Sequence, residues 1–416
     1  MRIAICSLCQ FTHIVKFVDA AQLLIEKNEV CYFLGFACQD TIRLLQEKQL
    51  PYKVLLDEKI DMNFLLTLTV VNESAYAVFE KYFFRYAKLT LPYLIKALNV
   101  WRPDFILSDM RDYAGMTAAE IMDIPMVSSG NFTSPFRVEG IDPPFGSGIN
   151  RDAPKRLLQL MWKLHHEFND RLDLLYNETI RRPYGLDDIR RVSTLNSTKL
   201  VLLSTISILA NKYSQDPSYV KYIGPLSLKK GESVEVDETD KIACIASSPE
   251  PRVFVTHGTV LMEPLTKKCL KALKNFPGTV IVSLGGKKMS SDICSLLKRK
   301  NVIWSSFFFD MNSVLKLVDV VVASEDQTAI ESFAAGKPLV FLPERGIQYA
   351  LAYRFQSLGV AEVCFPRHLD AQKIANLTWQ VATEDRYRKA ASVLQEHIKQ
   401  SGGADEVVRL LNHLFD

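Results

Sequence analysis

Residues 318–331 read VDVVVASEDQTAIE, and a little further on residues 336–342 read GKPLVFL. The first stretch is a β-branched apolar run that stops at a polar turn and restarts with helical spacing, and the second contains another apolar strand. This order of strand, loop, helix and buried strand is typical of a parallel sheet covered by helices. Ligands of such sheets bind at the carboxyl ends of the strands. The loop at 323–328 therefore predicts a site where phosphates meet the N-terminus of a helix.

The same alternation of strands and helices extends in both directions from this segment. Strands are predicted in the first half at 2–8, 30–34, 52–55, 105–107 and 125–127, and in the second half at 253–256, 280–284, 302–304, 318–322 and 339–342. Amphipathic helical patterns lie between them. A charged segment with few apolar residues, 229–250, separates the halves and is interpreted as a linker. The sequence thus predicts an α/β chain with Rossmann-like domains at 1–228 and 251–416, and leaves open whether the C-terminal helices pack back on the first domain.

Length and composition agree with two domains and exclude several classes of protein. The chain has 416 residues, 48% of them hydrophobic, and a single core rarely grows beyond about 250–300 residues. A net charge of +3 with interspersed signs does not favour a nucleic-acid partner. The chain opens directly with a strand and contains no long apolar run, so a cytoplasmic protein without transmembrane segment is expected. The cysteines are scattered, and Cys6-x-x-Cys9 is interpreted as structural.

Four residues link this pattern to a known family. His13 follows the first strand, Asp109 ends the strand that begins at 105, and Thr328 and Glu331 lie in the opening segment. With these positions the chain resembles the nucleotide-sugar-dependent glycosyltransferases of the GT-B type, nearest to the UDP-glycosyltransferases that modify small molecules and natural products. The resemblance covers nearly the whole chain. It implies two Rossmann-like domains with parallel sheets facing each other across a cleft, an acceptor in the first, a nucleotide-sugar in the second, and no metal or cofactor.

The resemblance implies a catalytic pair in the first domain. His13 stands where the family has a histidine that takes the proton of the acceptor hydroxyl, a task suited to a side chain that titrates near neutral pH. Asp109 stands where an aspartate orients that histidine and stabilises its charged form. Asp112, three residues on, competes for this role. Because an aspartate after a strand is also a common helix N-cap, the choice between the two stays open.

The donor motif of the family is only partly kept. Thr328 is expected to face the phosphates, and Glu331 is expected to accept both ribose hydroxyls. The family's His-Gly-Gly falls on residues 323–325, which here read ASE. Acidic residues repel a diphosphate, so Glu325 and Asp326 are expected to cap the helix, with an orientation away from the site or a divalent ion as alternatives.

Further donor contacts are implied elsewhere in the second domain. Gly258 and Thr259 follow the strand at 253–256 near the donor diphosphate, and His257 before them is either a pyrophosphate contact or a turn residue. Gln348 retains half of the family's sugar-binding acidic-Gln pair. Phe308 aligns with the aromatic platform for the base. Aromatic residues of the first domain offer candidate acceptor contacts, which are Phe84, Phe132 and Phe136, together with Phe83 and Tyr86.

The function implied by this resemblance is inverting transfer of a hexose from a nucleoside diphosphate-sugar, with UDP the expected nucleotide, to a hydroxyl of a small, partly apolar acceptor. Two alternatives remain at this point. The altered residues at 323–325 and the replacements Ile347 and Leu351 fit a non-catalytic relative that serves as a binding or accessory subunit. A sugar-nucleotide epimerase shares the architecture, but it needs further acid and base carboxylates that the sequence does not single out.

Overall fold

The computed structural model describes the chain from Met1 to Phe415 with several gaps. The residues outside the description are 10, 37, 57–74, 131–136, 145, 151, 193–194, 196, 198, 210–215, 227–235, 258–262, 286–289, 307, 309, 345, 367–368 and 416. The described residues form two α/β domains, each with its own parallel sheet, as the sequence predicts.

The first domain is built on a seven-stranded parallel sheet. Its strands are β1 (Arg2–Ser7), β2 (Glu29–Phe36), β3 (Tyr52–Leu56), β4 (Phe105–Asp109), β5 (Met126–Gly130), β6 (Val201–Leu203) and β7 (Val220–Tyr222). Its helices are α1 (Phe11–Val15), α2 (Val18–Leu24), α3 (Gln39–Glu47), α4 (Arg85–Trp101), α5 (Tyr113–Ile121) and α6 (Lys155–Tyr176), with an α-helical turn Ala75–Val78, π-helical turns Phe79–Phe84 and Asn177–Arg181, and the 3₁₀ turn Arg182–Tyr184. The strand order is β3-β2-β1-β4-β5-β6-β7. The order reverses between β1 and β4, and α/β sheets bind their ligands beyond the carboxyl ends of the strands at such a reversal.

The second domain has a six-stranded parallel sheet. Its strands are β8 (Arg252–Thr256), β9 (Thr279–Ser283), β10 (Val302–Ser305), β11 (Val320–Ala323), β12 (Leu339–Phe341) and β13 (Ala361–Val363). The helices from residue 236 onward are α7 (Val236–Ala246), α8 (Glu263–Ala272), α9 (Ser291–Leu297), α10 (Met311–Leu317), α11 (Asp326–Ala334), α12 (Gly346–Ser357), α13 (Ala371–Thr383), α14 (Asp385–Lys399) and α15 (Gly403–Phe415), with the 3₁₀ turn Leu273–Asn275. The order β10-β9-β8-β11-β12-β13 repeats that of the first six strands, so its reversal lies between β8 and β11.

The opening segment forms the centre of this second sheet. Strand β11 pairs with β8 on one side and with β12 on the other, and all four of its residues are buried. A strand covered on both faces can be apolar at every position, which explains why its sequence shows no alternation. The strand-loop-helix-strand prediction for 318–342 is confirmed.

The last helix packs on the first domain. Helix α15 lies against α2, Leu411 is fully buried in the first core, and the Phe415 ring stacks on Phe105 with 4.1 Å between centroids. In the opposite direction, Ile206 and Leu209 after β6 are buried in the core of the second domain. Both segments therefore fasten the two domains to each other.

The linker interpretation of 229–250 is wrong for its central part. Residues 236–246 form α7, in which Ile245 is fully buried and Ile242 packs against the same core of the second domain. The Glu238 carboxylate also accepts the Asp310 N–H at 2.8 Å. The segment is predominantly charged, but its two isoleucines are three residues apart and so lie on one face of a helix.

Candidate active site

A histidine and an aspartate meet at the strand-order reversal of the first sheet. His13 lies on α1, directly after β1, and Asp109 is the last residue of β4. The His13 Nδ1 atom is 2.7 Å from Asp109 Oδ2, with the histidine side chain 19% exposed and the carboxylate 1% exposed. Since an ionised carboxylate can only accept a hydrogen bond, Nδ1 carries the proton and Nε2 is left as an acceptor. This is the arrangement of a general base with its orienting carboxylate.

A third charged residue, Lys16, contacts the same carboxylate. Its Nζ lies 2.6 Å from Asp109 Oδ2 and 3.4 Å from the Ser129 carbonyl oxygen. The other carboxylate oxygen, Oδ1, accepts the Arg111 backbone N–H at 2.7 Å. Burial raises the pKa of Asp109, but the Lys16 ammonium and then His13 outweigh it, so the pKa lies well below its usual range. Sequence reasoning missed Lys16, whose signal is a lysine three residues after His13 within an apolar run.

Asp112 has a different task. It is the N-cap of α5, and its Oδ1 accepts the backbone N–H groups of Ala114 at 3.1 Å and Gly115 at 3.2 Å. Burial is the main cause that raises the pKa of Asp112 to about 7, with the Asp109 charge adding to it. The structure therefore brings Asp109 rather than Asp112 to His13.

The second sheet also has a histidine at its strand-order reversal. His257 follows β8 and Ser324 follows β11, and their Nδ1 and Oγ atoms are 3.1 Å apart. The other ring nitrogen, Nε2, lies 3.8 Å from the Cys269 thiol. His257 is 2% exposed and Ser324 is fully buried, and burial lowers the pKa of His257 to about 3. The structure thus encloses a neutral histidine between Ser324 and Cys269. Gly258 and Thr259 lie outside the described residues.

Helix α11 carries the retained donor residues. Thr328 lies in its first turn and is 6% exposed. The Glu331 carboxylate accepts a hydrogen bond from the Gln327 amide at 2.9 Å. The pKa of Glu331 is raised, because burial raises it more than this hydrogen bond lowers it. Glu325 holds the N-cap position without a side-chain capping bond, so its expected capping role is wrong. Asp326 starts the helix, where the helix dipole favours a carboxylate.

Two other donor candidates are engaged inside the protein. The Gln348 side chain is 3% exposed, and its Oε1 accepts the Glu344 backbone N–H at 2.8 Å, which orders the loop before α12. Phe308 is 1% exposed and packs on Phe254 with 6.2 Å between centroids. The expectation that Phe308 forms a stacking platform is therefore corrected, because both of its faces lie in the core.

The acceptor candidates are similarly divided. Phe84 is 3% exposed, and its ring centroid is 5.2 Å from those of Tyr113 and Tyr176. It belongs to an aromatic core cluster rather than to an open pocket, so its interpretation as an acceptor contact is corrected. Phe132 and Phe136 lie outside the described residues.

Comparison with known proteins finds glycosyltransferases, both in sequence and in fold. No family model matches the chain. Demethyllactenocin mycarosyltransferase from Streptomyces fradiae is 25% identical over 334 residues, which cover 78% of this chain and 67% of that protein. The solved structure of the glycosyltransferase of kitacinnamycin matches with a TM-score of 0.76 at 17% identity. The match covers 100% of this chain and 99% of that protein's chain. Glycosyltransferase VinC in complex with dTDP has a TM-score of 0.67 at 18% identity, with coverage of 100% and 99%.

This chain is a GT-B glycosyltransferase. The resemblance stated from the sequence, the fold class and the assignment as an enzyme are confirmed, and a nucleotide-sugar donor follows from the family. The comparisons do not favour the accessory subunit or the epimerase. Within the described part of the chain, no helix of this glycosyltransferase is long and apolar enough to cross a membrane.

Proposed function

We propose that this glycosyltransferase inverts the anomeric centre as it moves a hexose from a pyrimidine nucleoside diphosphate-sugar to a hydroxyl of a small, partly apolar acceptor. The observation that carries the proposal is the His13–Asp109 pair, 2.7 Å between Nδ1 and Oδ2 at the strand-order reversal of the first sheet. It leaves one ring nitrogen ready to take a proton at the position where α/β sheets bind ligands.

The proposed reaction is a single displacement. The acceptor hydroxyl gives its proton to His13 Nε2 as its oxygen forms a bond to the anomeric carbon. The bond from that carbon to the phosphate oxygen breaks on the opposite face, and the nucleoside diphosphate leaves with the electron pair. The N-terminus of α11 near Thr328 stabilises the charge that develops on the leaving group, because its backbone N–H groups point outward from the helix.

Three steps complete the test with the wild-type protein. Calorimetry with UDP, dTDP and their sugars measures donor binding, and release of nucleoside diphosphate is followed with a panel of hydroxylated aromatic and macrocyclic acceptors. NMR of the product then gives the anomeric configuration, which is inverted relative to the donor if the proposal is right. Retention of configuration contradicts the single displacement, and lack of binding by every sugar nucleotide contradicts the donor.

We also propose that transfer needs no metal ion. In the proposed reaction the N-terminus of α11 stabilises the charge on the leaving group, and His13 takes the proton of the acceptor, so both tasks fall to the chain itself. Dialysis against EDTA is therefore expected to leave the rate unchanged. A rate that is lost with EDTA and restored by Mg²⁺ or Mn²⁺ contradicts this part of the proposal.

A further inference from the structure

Lys16 is a buried cation inside the catalytic pair. Its side chain is 6% exposed and its Nζ lies 2.6 Å from Asp109 Oδ2, while the Phe17 ring centroid is 4.9 Å from the same nitrogen. Burial of an ammonium is costly unless a carboxylate and hydrogen bonds compensate it. The ion pair with Asp109 and the contact with the Ser129 carbonyl supply this compensation.

The shared oxygen brings Lys16 close to His13. Asp109 Oδ2 is 2.7 Å from His13 Nδ1 and 2.6 Å from Lys16 Nζ, so these two nitrogens are at most about 5.3 Å apart. A like charge within ~4–6 Å disfavours the charged form of a neighbouring group. Lys16 therefore opposes the uptake of a proton by His13, whereas Asp109 favours it.

The Lys16 ammonium changes the net charge of the site before and after His13 takes up a proton. In a histidine–aspartate pair alone, protonation of the ring changes the net charge from −1 to zero, which a buried site favours. With the ammonium present, the same step changes the net charge from zero to +1. Lys16 thus keeps Asp109 ionised and oriented, and at the same time it makes protonation of His13 less favourable.

We propose that Lys16 is a positioning residue of the His13–Asp109 pair that lowers the pH at which His13 gains its proton and so widens the range in which the base can act. The link to catalysis rests on the proposed function, whereas the effect on His13 does not. Lys16 acts by its charge on His13 and by its ion pair with Asp109, and it makes no contact with substrate in the proposal.

Other charges near the group are few or directed elsewhere. The titratable and charged groups on the neighbouring elements are of three kinds. Asp112 caps the start of α5, and the Arg111 guanidinium lies over the Phe79 and Phe83 rings. Asp19 on α2 is partly buried, whereas Asp40, Arg43 and Glu47 on α3 are exposed. Only Lys16 and His13 have side chains that bond the Asp109 carboxylate among the contacts of the described residues.

The test compares variants by NMR titration of the histidine rings. Lys16→Met removes charge and hydrogen bonds, Lys16→Gln removes the charge but keeps a donor, and Lys16→Arg keeps both. Lys27→Met, at an exposed position of the same domain, is the matched control. The His13 signals are assigned by their loss in His13→Gln. The expected result is a midpoint raised by about 1 unit or more in the Met and Gln variants, with the Arg and Lys27 variants close to wild type.

The same variants are then compared in turnover. The acidic limb of the kcat/KM profile is expected to move to higher pH by the same amount in the Met and Gln variants, with KM for the donor unchanged. An unshifted His13 midpoint in folded Lys16→Gln overturns the proposal, and so does a midpoint that moves downward. If the Met variant does not fold, the Gln variant decides. Because the NMR titration needs no substrate, a failure of the proposed function is seen separately, as absence of turnover in wild type.

Discussion

Each sheet has a histidine just after its first strand, at the point where the strand order reverses, but the two histidines differ in their surroundings. His13 is 19% exposed and pairs with an ionised carboxylate and, through it, with an ammonium. His257 is 2% exposed and contacts a hydroxyl and a thiol. The first is equipped to exchange a proton, and the second is kept neutral by burial.

The position of a histidine at a strand end therefore does not determine its task. A carboxylate partner stabilises the imidazolium that forms during base catalysis, and partial exposure allows a substrate to reach the ring. A hydroxyl partner without a compensating charge leaves a buried ring neutral over the physiological range. The same residue type thus serves chemistry in one sheet and joins neighbouring strands in the other.

The largest expected effect is on turnover, and it separates the two histidines directly. His13→Gln is expected to lower kcat by about 10²–10⁴-fold, the usual contribution of a positioned general base, with the donor dissociation constant unchanged. His257→Gln is expected to retain most of the activity. Steady-state kinetics with one donor and acceptor measure both. Equal losses in the two variants would break the distinction.

A second effect concerns donor affinity in the second domain, where Glu331 rather than His257 is expected to bind the nucleotide. Glu331→Gln removes a charged acceptor, which is worth roughly 1.5–3 kcal/mol or about 10–150-fold in affinity. UDP, whose ribose offers two hydroxyls, is expected to lose more affinity than dTDP, which offers one. Calorimetry measures both nucleotides, with Glu26→Gln at an exposed site as the control. Unchanged affinity for both contradicts the ribose contact.

His257 is expected to matter for stability. His257→Gln should lower the free energy of unfolding by about 1–3 kcal/mol, because buried Ser324 loses part of its hydrogen bonding.

The stability of the wild type should also depend on pH through His257. Burial lowers the pKa of this histidine to about 3 in the folded protein. Between pH ~6.5 and about 3, the unfolded chain therefore binds a proton at His257 and the folded chain does not. Wild type should therefore lose stability as the pH falls through this window, and the variant should lose less. Denaturant unfolding tests this, with exposed His413→Gln as the control; weaker diphosphate binding in His257→Gln would instead indicate a ligand contact.

The smallest expected effect distinguishes the two aspartates beside His13. The pKa of Asp112 is raised to about 7, so its contribution to stability is fully present below pH ~4 and is lost as the pH rises through 7. Asp112→Asn keeps a good N-cap and should make stability less dependent on pH between 5 and 8. Exposed Asp152→Asn serves as the control. An unchanged pH profile would show that the Asp112 carboxyl is ionised throughout this range.

Much of the fold could be predicted from the sequence, because parallel strands that are buried on both faces consist of continuous apolar runs. The run at 318–322 shows this well, and β11 is its structural counterpart. The prediction of a linker at 229–250 was wrong because the many charges around α7 outweigh Ile242 and Ile245, the residues that pack in the core. For the site, the sequence placed His13 and Asp109 after neighbouring strands, where the structure pairs them, but the same kind of position did not reveal that His257 is enclosed.

Sequence alone was sufficient for the two Rossmann-like sheets, for the strand ends at which His13 and Asp109 lie, and for the resemblance to GT-B glycosyltransferases. The tertiary structure alone decided which side chains face each other there. It brought Lys16 to Asp109, enclosed His257 and placed Phe308 and Phe84 in the cores. The physical reason is that periodicity depends on neighbours along the chain, whereas burial and charge pairing depend on contacts between residues far apart in it.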